Sequence, residues 1–92
     1  MSKVKSAFDD LFEPEEAANL KIRSSLMRSL KLFIKDSGFT QKHAAEVMKI
    51  HQPLVSDLMR GRINRFSIDQ LVNMSASMGI SVSIEVTIPD AA

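Results

Sequence analysis

Residues 40–61 read TQKHAAEVMKIHQPLVSDLMRG, and the spacing inside this stretch decides the fold. Thr40 is a hydroxyl residue placed to cap a helix that carries Ala44, Ala45, Val47 and Met48 as its apolar positions. Only Lys49, Ile50 and His51 connect it to a second helix expected over 52–60, where Val55, Leu58 and Met59 are apolar. Pro53 falls in the first turn of that second helix, where a missing N–H does little harm. Gly61 can close it in a left-handed cap. Small Ala45 lets the two helices approach closely, and Val55 and Leu58 tie the second one to a core. Short polar residues are left at its outward start.

Working toward the N-terminus, Pro14 suits the first position of a helix, with Glu15 and Glu16 at the positive end of its dipole. Ile22, Leu26, Leu30, Phe33 and Ile34 recur at spacings of three and four, an amphipathic stripe that runs to Ser37. Gly38 supplies a left-handed cap, and Phe39 the apolar contact that often follows one. At about 100° per residue, Lys21, Arg28, Lys31 and Lys35 gather on the opposite face with Leu32 among them, which reads as a solvated surface. Residues 1–13 form an acidic arm, loosely ordered or ordered by a partner.

Working toward the C-terminus, the basic segment Arg62-Ile63-Asn64-Arg65-Phe66 precedes a further helix opened by Ser67 and Gln70 in capping-box spacing and ended at Gly79. The period then changes. Ile80, Val82, Ile84, Val86 and Ile88 alternate with polar residues up to Pro89, the pattern of a strand with one apolar face. A lone strand leaves its backbone groups unpaired, and no other segment offers a partner. The economical partner is the same strand of a second copy, antiparallel about a two-fold axis; strand addition to another protein is the alternative. The expected architecture is mainly α: four to five helices over 14–79, a dimerisation strand over 80–88 and a tail at 89–92.

Ninety-two residues make one domain, small enough for dimerisation to add stability. The net charge of +1 hides an uneven distribution. Residues 1–19 carry a net −3, residues 20–65 a net +7 and residues 66–92 a net −3. A basic middle between acidic ends suits a nucleic-acid face on a nearly neutral protein. The chain has no Cys, hence no disulfide framework, and this fits a reducing cytoplasm. No apolar run is long enough for a bilayer, and the start MSKVKSAFDD lacks the apolar core of a signal peptide, so a cytoplasmic protein is expected.

Two short helices joined by a tight turn grip duplex DNA when the first crosses the backbone and the second presents side chains to base edges. The stretch 40–61 resembles, without gaps, the lambda-repressor-like (XRE-type) helix-turn-helix. The likeness is carried by Thr40, Gln41, Ala45, Gln52, Val55, Ser56, Leu58 and Gly61 at the family spacing. Over about 17–86, including RGRINRFSIDQLVNMSASMGISVSIEV at 60–86, the chain also resembles HigA-type antitoxins of type II toxin–antitoxin modules. That resemblance implies a homodimer that represses its own operon at a palindromic operator and binds a RelE-like ribonuclease toxin.

The resemblance further implies that Thr40, Gln41 and Lys42 lie against the DNA backbone, with Gln41 on a phosphate. Gln52 would read a base, since a Gln amide bonds bidentately to adenine N6 and N7. Pro53, Ser56, Asp57 and Arg60 would follow the groove, and Arg62, Asn64 and Arg65 would meet phosphates, which position rather than specify. Three positions depart from the family. Lys49 stands where a glycine with positive φ is common, His51 replaces a Ser or Thr cap, and Asp57 brings a negative charge that Lys42 could offset.

Catalysis is not expected, because no nucleophile motif or Gly-rich phosphate loop occurs. No cofactor is expected either. His43 and His51 sit in different elements without a ligand set. Met27, Met48, Met59, Met74 and Met78 follow the apolar stripes, as core residues do. Two other readings stand beside the antitoxin: a stand-alone XRE-family regulator without a toxin, and an interaction adaptor that binds no DNA. The acidic residues 9–16 are either a complement to a basic ribonuclease or a loose terminus.

Overall fold

The structure, a computed structural model, describes residues 13–90. The acidic arm, except for Glu13, and the last two residues of the tail lie outside the described residues. Four α-helices follow in order: α1 (Pro14–Ser37), α2 (Gln41–Met48), α3 (Gln52–Met59) and α4 (Ile68–Ser77), with a 3-10 turn at Ile63–Arg65 between the last two. All are where the apolar periodicity puts them. The third helix is one residue shorter than expected, with Arg60 as its cap rather than its last residue.

Each helix starts with a device legible in the sequence, Pro53 in the first turn serving α3. Pro14 opens α1. The Thr40 hydroxyl accepts a hydrogen bond from His43 N at 3.0 Å. Ser67 and Gln70 form a reciprocal capping box, with bonds of 3.1 and 3.0 Å. His51, by contrast, makes no side-chain cap for α3.

All four helices stop in one way. A residue with φ between 58° and 81° follows each, at Gly38, Lys49, Gly61 and Gly79. In each case its N–H and the next one return to carbonyls of the last turn, as Arg62 N does to Asp57 O at 3.0 Å. The three glycines adopt this conformation freely. Lys49 does not: it is the one non-glycine at positive φ among the described residues. It sits at the turn between α2 and α3, where Ile50 N bonds Ala45 O at 3.0 Å and re-aims the chain.

The core is one cluster. Leu30 of α1, Val55 and Leu58 of α3 and Leu71 of α4 are fully buried, joined by Ala44, Met48, Phe66, Met74 and Met78. The long helix α1 packs chiefly along α4, and α2 along α3. Ser75 is a buried polar residue in this core, and its hydroxyl donates to Leu71 O at 2.7 Å, so it carries no unmet bond. No described helix is long and apolar enough to cross a membrane.

The expected strand over 80–88 is not formed: among the described residues there is no strand at all. The physical reason is the one that made a partner necessary, since a single segment has no neighbour to bond with. The apolar row is also divided. Ile80 and Val82 pack against the chain's own core, whereas Ile84, Val86 and Ile88 are 63%, 78% and 83% exposed.

Replacing Lys49 with Gly removes a left-handed strain of about 1–2 kcal/mol and adds back about 0.4–1 kcal/mol of unfolded-state entropy. Lys49→Gly should therefore raise unfolding stability in urea by roughly 0.5–1 kcal/mol. A lower stability would contradict the geometry of this turn.

Candidate nucleic-acid interface

The inner side of α3 is set by Val55 and Leu58, both at 0% exposure. Helical geometry then fixes what faces out. At about 100° per residue, Gln52, Ser56 and Arg60 advance along one side, flanked by Pro53 and Asp57. Gln52, Pro53 and Arg60 are exposed, and Ser56 and Asp57 are half-buried. The helix is eight residues long. That is about 12 Å of rise, close to the width of the major groove.

Backbone donors contribute little at the start of α3. Pro53 has no N–H, and Leu54 N bonds His51 O at 2.9 Å, so any reading of bases falls to side chains. At the start of α2 the balance differs. Thr40 is occupied as a cap, while Gln41 and Lys42 are exposed in the first turn, with N–H groups that the helix itself cannot pair. Phe39 steadies this corner by edge-to-face contacts with Phe33 and His43, at ring separations of 6.5 and 4.5 Å. His43 Nδ1 also lies 3.8 Å from Glu46. That places His43 in local packing, away from His51 in the next element.

Beyond α3, Arg62, Asn64 and Arg65 are exposed in the connection to α4. Asp57 does not stand alone: its Oδ1 is 3.7 Å from Arg62 Nη1, across the cap of α3. The negative charge is thus offset by Arg62 rather than by Lys42. Arg60 and Arg65 are left without a carboxylate partner among the described residues. The outward side is therefore a polar helix with its positive groups gathered at the C-terminal end and in the turn that follows, where phosphates would be met.

Arg23 is a site residue that the sequence reading did not pick out. From α1 its Nη1 donates to the carbonyl oxygens of Ile63 and Phe66 at 3.0 and 3.4 Å, while its Nε donates to Asn19 Oδ1 at 2.6 Å. One guanidinium thus holds both ends of the turn that carries Asn64 and Arg65. Its sequence signal is weak: only the Asn19 partner, four residues earlier, is visible from helical spacing.

Arg23→Met keeps the alkyl packing and deletes the clamp. It should leave the helical circular dichroism intact while speeding amide exchange at Arg65 and Phe66. Unchanged exchange there would contradict the clamp.

Comparison with known proteins agrees with this geometry. No curated protein matches the chain. A family model described as a helix-turn-helix domain matches residues 7–87, most of the chain and nearly the whole described structure. The match takes in α1, α4 and most of the segment 80–88 as well as α2 and α3, so the unit is larger than the two-helix motif. This chain belongs to that helix-turn-helix domain family.

Proposed function

We propose that the protein is a sequence-specific transcriptional repressor that binds a palindromic operator in duplex DNA as a homodimer. The observation that carries this reading is the outward side of α3. Among the described residues it presents Gln52, Pro53, Ser56 and Arg60 without a covering element, between the α2 corner and the arginine-bearing turn. In this reading Gln52 bonds adenine through its amide, and Pro53 offers an apolar contact to a thymine methyl. Gln41, Arg62, Asn64 and Arg65 anchor the backbone, and the arginines carry the salt dependence.

The homodimer rests on the tail. Ile84, Val86 and Ile88 keep a strand-like apolar alternation, are left exposed by their own chain, and fall within or next to the family match. Pairing with the same segment of a second copy would cover them and satisfy the backbone. Two-fold symmetry would then set the two α3 helices about 34 Å apart, one turn of DNA. The finer reading, an antitoxin that neutralises a RelE-like ribonuclease, is supported by the resemblance over 17–86. Growth rescue by co-expression with a neighbouring toxin separates it from a stand-alone regulator.

In a mobility-shift assay with the DNA upstream of its own reading frame, Gln52→Ala should weaken binding by about 1–3 kcal/mol, and adding Arg60→Ala should weaken it further. Full affinity in the double variant would remove α3 from the interface. A protein with no salt-dependent binding to duplex DNA at all would instead be an adaptor. Ile84→Pro should sediment as a monomer, because proline deletes a backbone donor in the middle of the seam. A dimer that survives this change places the seam elsewhere.

A further inference from the structure

We infer that the groove between α1 and the end of α3 is a binding site for a single-tailed carboxylate anion, and that its occupancy is coupled to the DNA-facing turn. The groove measures about 480 Å³, within the range of small-ligand sites. Leu20 and Met27 of α1 and Ile63 of the turn line it as apolar surface, and Leu32 stands at its rim, 51% exposed.

The cations decide the chemistry of the head. Arg28 and Lys31 line the same groove, one helical turn apart. Lys31 is half-buried, and its Nζ lies 3.7 Å from where a side chain at Gly61 would begin. Neither has a carboxylate partner among the described residues. At the other end, Leu20 and Ile63 are shared with a neighbouring hollow that also holds Glu15, Glu16 and Arg23, the last already engaged by Asn19 and the Ile63 and Phe66 carbonyls, so that end is net acidic. A carboxylate is drawn to one end and repelled from the other, which fixes the ligand's direction: head at Arg28 and Lys31, tail toward Leu20. From Leu20 to Arg28 and Lys31 the helix rises about 12–16 Å, enough for a medium-chain tail.

Coupling follows from what forms the far wall. Gly61 and Ile63 belong to the segment that ends α3, and the Ile63 carbonyl is one of the two held by Arg23. A ligand seated there touches the turn that carries Arg62 and Arg65. Whatever factor the ligand imposes on DNA affinity, DNA imposes on the ligand's. This second half rests on the DNA-binding reading; the first half does not.

The test uses the full chain, without DNA, titrated calorimetrically with decanoate below its micelle concentration. Saturable one-to-one binding is expected. Octanoate should bind roughly tenfold more weakly, as loss of two buried methylenes requires. The Arg28→Gln/Lys31→Gln variant should bind decanoate at least tenfold more weakly, with methyl NMR shifts at Ile63 and Leu32 in the parent protein only. No saturable binding would overturn the site. So would equal affinity for decanol, or undiminished binding by the double variant. Repeating the mobility shift with decanoate should change DNA affinity. Decanoate binding with an unchanged DNA affinity overturns the coupling alone, and decanoate binding by a protein that binds no DNA leaves the site standing while removing the repressor.

Discussion

Burial of Val55 and Leu58 against Leu30 and Leu71 is the contact on which the other features depend. These side chains share one buried cluster in which α3 meets α2 and α1 while α4 meets α1 and α2, and each of the four is completely removed from water. Truncating one such leucine to alanine typically costs about 2–5 kcal/mol, a large part of the stability of a chain this small. The same contact orients function. With two residues of an eight-residue helix fixed inward, the side chains at Gln52, Ser56 and Arg60 have only one direction left. A fold that held α3 less firmly would present those groups in many orientations and read nothing.

The second constraint is the repeated left-handed stop. Four helices in about 65 residues need sharp reversals, and each reversal leaves carbonyls that must be bonded. The chain spends all three of its glycines on this task and uses Lys49 for the fourth. The strained position falls in the turn between α2 and α3, the joint that sets their angle. Strain of this kind persists when surrounding packing over-determines it, as Ala44, Ala45 and Met48 on one side and Val55 on the other do here.

Much of this was legible in the sequence. Helix limits followed from Pro14, Gly38, Thr40, Ser67 with Gln70, and Gly79, because caps are local and carry their own chemistry. The buried methionines followed from periodicity. Three features were not legible. The Asp57–Arg62 pair and the Arg23 clamp span helix ends and distant segments, so no spacing rule reaches them. Lys31 was read with a solvated face, yet it is half-buried and its Nζ lies 3.7 Å from where a side chain at Gly61 would begin, a neighbour some thirty positions away in the sequence being outside the reach of helical spacing. The tail is the instructive difference. Its alternation was read as a strand and no strand forms among the described residues, because alternation states only which side chains share a face; the ladder needs a second segment, and Ile80 and Val82 meanwhile found apolar contacts at home.

The central claim is that the outward side of α3, with the turn that follows it, is a DNA-binding face. Amide chemical-shift mapping on addition of a mixed-sequence duplex at low salt tests it most directly. The account predicts that shifts concentrate at Gln41, Lys42, Gln52, Ser56, Arg60 and Arg65, and fade as salt is raised. Shifts confined to α4 or to residues 84–88, or none under any salt condition, would contradict it.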